Sequence, residues 1–200
     1  AFGILVGIVF GVISAINRGR FPDYLVIILS ILCVSVPAFV FASLFQYAFG
    51  AKLQWLPVAG WKGPVYMVLP CLALGLRLIA YVARMMRTSM LDVLGQDYIM
   101  TARAKGLTSG QVIRRHTIRN AIMPVVSVAG SMIAGTLVGS FVIENIFNIP
   151  GMGKYLVDAV TDNDYTVVLG MTTFYALVLV VITFIVDILY VVIDRRVKLD

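Results

Sequence analysis

Apolar residues fall into five blocks separated by polar stretches: 1–16, 24–50, 65–83, 120–143 and 166–193. A helix needs about 20 mainly apolar residues to cross a bilayer, and the last four blocks approach or exceed that length. The first, at sixteen residues, falls slightly short. The pattern predicts an all-α membrane protein with five transmembrane helices, residues 1–200 forming one transmembrane domain. Pro37, near the middle of the second block, should break one backbone hydrogen bond and bend the helix there. Gly3, Gly7 and Gly11 repeat every four residues, as do Ser131, Gly135 and Gly139. Each series makes one smooth helix face, suited to close packing or, for the second, to lining a pathway. Ala1 opens in mid-block without a methionine or the charged start of a signal peptide. The sequence is therefore expected to be a fragment whose earlier part is missing.

The polar stretch 84–119 interrupts this pattern most strongly. Within it, Asp97 to Lys105 reads as a helix of about nine residues, roughly 14 Å long. Gly106 stands where a left-handed C-terminal cap would end it. Thr108 and Gln111 have the spacing of a capping box, so a second helix should start near Ser109. A nine-residue helix needs tertiary support in water. With Ala102 and Ala104 keeping its surface low and Arg103 and Lys105 making it basic, it describes a small knob fitted to another protein's groove.

Composition agrees with a lipid environment. Hydrophobic residues make up 60% of the chain and charged residues only 13%, about half the usual charged share of a soluble domain. Mean hydropathy is +0.97. The net charge of +6 does not point to nucleic acid, because the cations sit in a few loops. Twelve of them, including Arg18, Arg20, Arg84, Arg87, Arg103, Lys105, Arg119 and Arg196, lie in the first and third loops and the tail. Lys52, Lys62 and Lys154 lie in the other two loops. The positive-inside rule places the first set in the cytoplasm. Trp55 and Trp61 in the second loop suit a membrane interface. Cys33 and Cys71 read as small core residues. His116 is the one histidine, and no catalytic constellation or metal site is visible. GMGK at 151–154 is not a nucleotide loop: a Walker motif needs glycine and Ser/Thr where Asn148 and Tyr155 stand.

DYIMTARAKG at 97–106, followed by RRHTIRNAIMP at 114–124, resembles the cytoplasmic EAA loop of permease subunits in ATP-binding-cassette importers. It is similar in particular to the B-type permease of oligopeptide and dipeptide importers. QWLPVAGW and ENIFNIPGMGK resemble that family's external stretches. Where relatives usually read DPRI, this chain has Asp194-Arg195-Arg196-Val197. The resemblance implies that the short helix is the coupling helix that docks on an ATPase subunit. Its residues would be Asp97, Tyr98, Thr101, Ala102, Arg103, Ala104, Lys105 and Gly106. The implied partners are a second homologous permease subunit, two ATP-binding subunits and an external substrate-binding protein in a bacterial or archaeal cell membrane. The chain would supply the last five of six spans and bind no cofactor; ATP and Mg would belong to the ATPases. Peptides are the implied cargo, although nickel, glutathione and some sugars use similar permeases. The competing class, a self-contained secondary transporter or channel domain, favours inverted repeats, and no internal repeat is visible.

Two charges fall inside the expected spans. Arg77 precedes Arg87 by ten residues and Asp187 precedes Arg195 by eight. Both thus lie roughly 12–15 Å inward of a cytoplasmic boundary. A charge that deep costs at least about 2.5–3.5 kcal/mol on insertion scales. Arg77 could pair with Asp187 or face a watery pathway alone, and Arg84 competes with it for Asp187.

Overall fold

The computed structural model describes residues 2–137 and 141–193. Gly139, the tail from Asp194 onward, and the side chains of Ala134, Leu137, Val186, Asp187 and residues 189–193 lie outside the described residues. No strand occurs among the described residues. The first block forms α1 (Phe2–Ile16). The second block is divided between α2 (Phe21–Ser35) and α3 (Ala38–Phe45), and a π-helical turn, Gln46–Lys52, follows α3. The break falls at Val36 and Pro37. Proline has no N–H to donate and drives the preceding residue out of the helical region.

A 3₁₀ turn, Pro64–Met67, leads into α4 (Val68–Leu94). This helix continues through Arg84 and Arg87, well past the end of its apolar block at Ala83. Only Gly95 and Gln96 then separate it from α5 (Asp97–Ala104). Beyond lie α6 (Ser109–Val112), a π-helical turn (Ile113–Thr117), α7 (Ile118–Ala121) and α8 (Met123–Leu137). The chain closes with α9 (Phe141–Ile146), α10 (Met152–Thr161) and α11 (Tyr165–Ile193). Among the described residues, Pro64–Leu94 and Tyr165–Ile185 are each long and apolar enough to cross a membrane. The helices on either side of Pro37 reach that mark only as a pair.

The chain divides into two compact units, Ala1–Ser35 with Leu76–Ala129, and Val36–Gly75 with Gly130–Asp200. In the first, Gly7 and Gly11 of α1 meet α4. A Cβ built on Gly7 would lie 2.7 Å from Val82 Cβ and 2.9 Å from the Ile79 carbonyl oxygen. One on Gly11 would lie 2.7 Å from the Ala83 oxygen. Backbone approaches backbone here, which is what a four-residue glycine repeat permits. The second unit has its own core of Ala42, Leu69, Ala73, Ile143 and Phe147. Gln46 Nε2 ties it together by donating to the carbonyls of Val58 and Ile146, both at 3.0 Å.

Candidate coupling surface

Both ends of α5 are fixed locally. Gln96 enters it in extended conformation. At the other end Gly106 has φ +82°, a left-handed conformation that costs glycine nothing. The Gly106 N–H donates to the Arg103 carbonyl at 2.9 Å, and the Leu107 N–H to that of Ala102 at 3.3 Å. These two bonds make a Schellman motif, and Leu107 adds its usual apolar contact by packing beside Ala102. Thr108 then opens α6 with a full capping box. Its Oγ1 accepts from the Gln111 N–H at 3.4 Å, and its own N–H donates to Gln111 Oε1 at 3.0 Å.

Tertiary contacts hold this capped turn in place. Ile99, fully buried, packs with Ala102 and Val112, and Val93 near the end of α4 joins the same cluster. Asn120 Nδ2 donates to the Tyr98 hydroxyl oxygen at 3.1 Å, tying α5 to the end of α7. The knob is thus braced on α4 and α7, the support that so short a helix requires.

Of the residues expected to form the docking surface, Asp97, Tyr98, Thr101, Arg103, Ala104, Lys105 and Gly106 are exposed. Ala102 is turned inward at 6% exposure, so it shapes the knob from beneath. Met100, which the sequence reading passed over, stands outward at 62%. Its neighbour Ile99 shares the inner face with Ala102 by the i, i+3 rule. Ser131 and Gly135 are exposed, and a Cβ on Gly135 would meet nothing within 4 Å. Arg77 is exposed and has no ion-pair partner among the described residues. The pairing with Asp187 and the place of Gly139 lie outside the described residues.

Sequence reasoning missed two polar clusters. In the first, Asp23 is 2% exposed and receives four bonds. Arg87 donates from Nε at 2.6 Å and from Nη2 at 2.9 Å, Ser14 Oγ at 2.5 Å and the Gly19 N–H at 2.9 Å. The only signal was an aspartate in the first turn of a helix after two arginines, indistinguishable from a solvated loop. In the second cluster, Glu144 Oε2 accepts from the Gly153 N–H at 2.7 Å in the first turn of α10. Lys154 Nζ turns away to Asn148 Oδ1 at 2.7 Å. A helix N-terminus attracts anions, and in GMGK the protein's own carboxylate takes that place.

Comparison with known proteins places these features in a family. Residues 7–199 match the family described as binding-protein-dependent transport system inner membrane component. The chain belongs to that family. Within it, the chain is 46% identical over 196 residues to the dipeptide transport system permease protein DppB of Bacillus subtilis, covering 98% of this chain and 64% of that protein. It is 38% identical over 200 residues to the oligopeptide transport system permease protein OppB of Haemophilus influenzae, covering 99% and 65%. The chain thus spans just under two-thirds of the length of these relatives. A crystal structure of an amino acid ABC transporter with histidines aligns with a TM-score of 0.66 at 18% identity, over 98% of this chain and 87% of that one. At that identity the likeness speaks for the fold alone: the described residues, helical and without strands, share the fold of that transporter chain.

Proposed function

We propose that this chain is the membrane-spanning part of a permease subunit in an ATP-driven importer, most simply of oligopeptides or dipeptides. It would form half of a translocation pathway with a second homologous permease subunit. Two ATP-binding subunits would hold ATP and Mg, and an external substrate-binding protein would deliver cargo. Five spans, 1–16, 24–50, 65–83, 120–143 and 166–193, cross the bilayer, with the 84–119 segment and the tail in the cytoplasm. The positive charge of those parts supports that orientation. The chain itself performs no catalysis and holds no cofactor. Closure of the ATPases pushes the α5 knob, and the bundle closes its inner gate as it opens its outer one.

One observation carries this reading: α5 is a short helix, closed by a glycine cap and packed from beneath through Ile99 and Ala102, that leaves Met100, Arg103 and Ala104 exposed. A floppy basic loop would absorb a push, whereas this one passes it to α4 through the Val93 contact. Gly106→Pro cannot adopt φ +82° and loses the N–H bonded to Arg103. Ala102→Glu forces a charge into the Ile99–Val112 cluster. Both variants should reach the membrane yet lose peptide uptake, measured in cells carrying the full-length permease and its partners. Normal uptake with normal ATPase co-purification in both variants refutes the assignment.

A further inference from the structure

One carboxylate joins four segments of the first unit. Asp23, in the first turn of α2, accepts from Ser14 of α1, from the Gly19 N–H in the turn between those helices, and from Arg87 of α4 at two points. Gly19 has φ +73°, a left-handed conformation that glycine adopts without strain. Arg84, three residues before Arg87 on the same helix, lines an open cleft instead. Arg87 also stands close to the knob. Six residues later in the unbroken α4, about 9 Å along its axis, Val93 packs with Ile99, Ala102 and Val112.

The rest of the contact between α1 and α4 is apolar, with Val82 and Met86 set against Gly7 and Gly11. Apolar contacts are non-directional, and helices joined by them alone shear past one another in small slides. A two-point guanidinium–carboxylate pair is directional. Pulling it apart in a site where Asp23 is 2% exposed strands a charge. Well-packed apolar residues stabilise such a site about as well as a buried ion pair does. What the pair adds is a fixed register between α4 and the α1–α2 turn.

We propose that Asp23 and Arg87 are positioning residues for transport. They pin the α1–α2 turn to α4, so that a displacement of the α5 knob carries α1 and the start of α2 with it. The proposal rests on the importer reading above and deepens it by naming the contact through which the push leaves α4.

The test uses the full-length permease in its assembled complex, in a background with every other cysteine replaced. Arg18→Cys in the turn and Asp92→Cys on α4, both at exposed positions, carry spin labels whose separation is measured with and without a non-hydrolysable ATP analogue. In the parent the distance should shift by less than about 2 Å on nucleotide binding, within the range of a small helix slide. Asp23→Leu with Arg87→Leu leaves no unmatched charge. In that variant the nucleotide-free distribution should broaden at least twofold, and the nucleotide-induced shift should exceed the parent's. Distributions and shifts equal to the parent's overturn the proposal. In a second arm, uptake per ATP hydrolysed should fall at least fivefold in the double variant, with Arg87→Lys, which keeps the charge, between it and the parent. A purely structural role would lower the amount of complex and leave that ratio alone, so an unchanged ratio also overturns the proposal. If no ATPase accompanies the parent permease, the importer reading fails. The nucleotide-free distributions still decide whether the pair pins the turn to α4.

Discussion

Asp23 and Arg87, 64 residues apart, form a two-point ion pair: Nε to Oδ1 at 2.6 Å and Nη2 to Oδ2 at 2.9 Å. The pair fastens the turn between α1 and α2 to the part of α4 that leads to the knob. Ser14 and the Gly19 N–H occupy further acceptor positions of Asp23. The carboxylate is therefore fully partnered although almost wholly buried. Removing one member of such a pair strands the other and is expected to cost about 3 kcal/mol. Asp23→Ala should lower the unfolding temperature of the purified complex markedly. Asp23→Leu with Arg87→Leu should recover part of the loss, since no charge is left unmatched. A double variant no better than Asp23→Ala would show that the pair is not the stabilising unit.

The two glycine series should respond oppositely to added bulk. Gly11→Ala drives a methyl against the Ala83 carbonyl and Met86, overpacking of a kind that costs about 1–3 kcal/mol. Gly135→Ala meets no atom within 4 Å among the described residues and should leave the stability of the subunit unchanged. The larger Gly135→Leu tests the proposed packing or pathway role of that face through assembly and uptake. Thermal unfolding of the two alanine variants in detergent distinguishes the series, and equal loss in both would refute the contrast.

Glu144 caps α10 through the Gly153 N–H. Glu144→Ala removes that cap at a cost of about 1 kcal/mol. Amide exchange in the first turn of α10 should then quicken, while exchange in α5 stays the same. Gly153→Ala should be worse, because a Cβ there would lie 2.9 Å from Phe141 Cα. Unchanged exchange at residues 152–155 in Glu144→Ala would remove the carboxylate from this role.

Tyr98 and Asn120 should act as one unit. Their bond is exposed, so its net worth is about 0.5–1 kcal/mol. Tyr98→Phe and Asn120→Ala should each reduce uptake per ATP hydrolysed by a similar factor, and the double variant by no more than either alone. Multiplying losses would mean that the two residues serve separate contacts.

The sequence by itself determined the helical class, the positions of the apolar blocks and the local devices that shape the knob. Those devices work over a few residues: Pro37 breaks a helix because it lacks an N–H, Gly106 supplies a left-handed turn, and Thr108 with Gln111 close a box three residues apart. Periodicity likewise exposed the Gly3–Gly7–Gly11 face, since a helix sets side-chain direction from spacing alone. What filled that face was settled by tertiary structure, which brought Ile79, Val82, Ala83 and Met86 against it. The same holds for charge. Arg84 and Arg87 look alike in sequence, yet the twist of α4 delivers Arg87 to a buried Asp23 and leaves Arg84 in an open cleft. Ala102 reads as a small surface residue until the fold sets Val112 above it. A linear pattern fixes which face a residue is on, and only packing decides what that face meets.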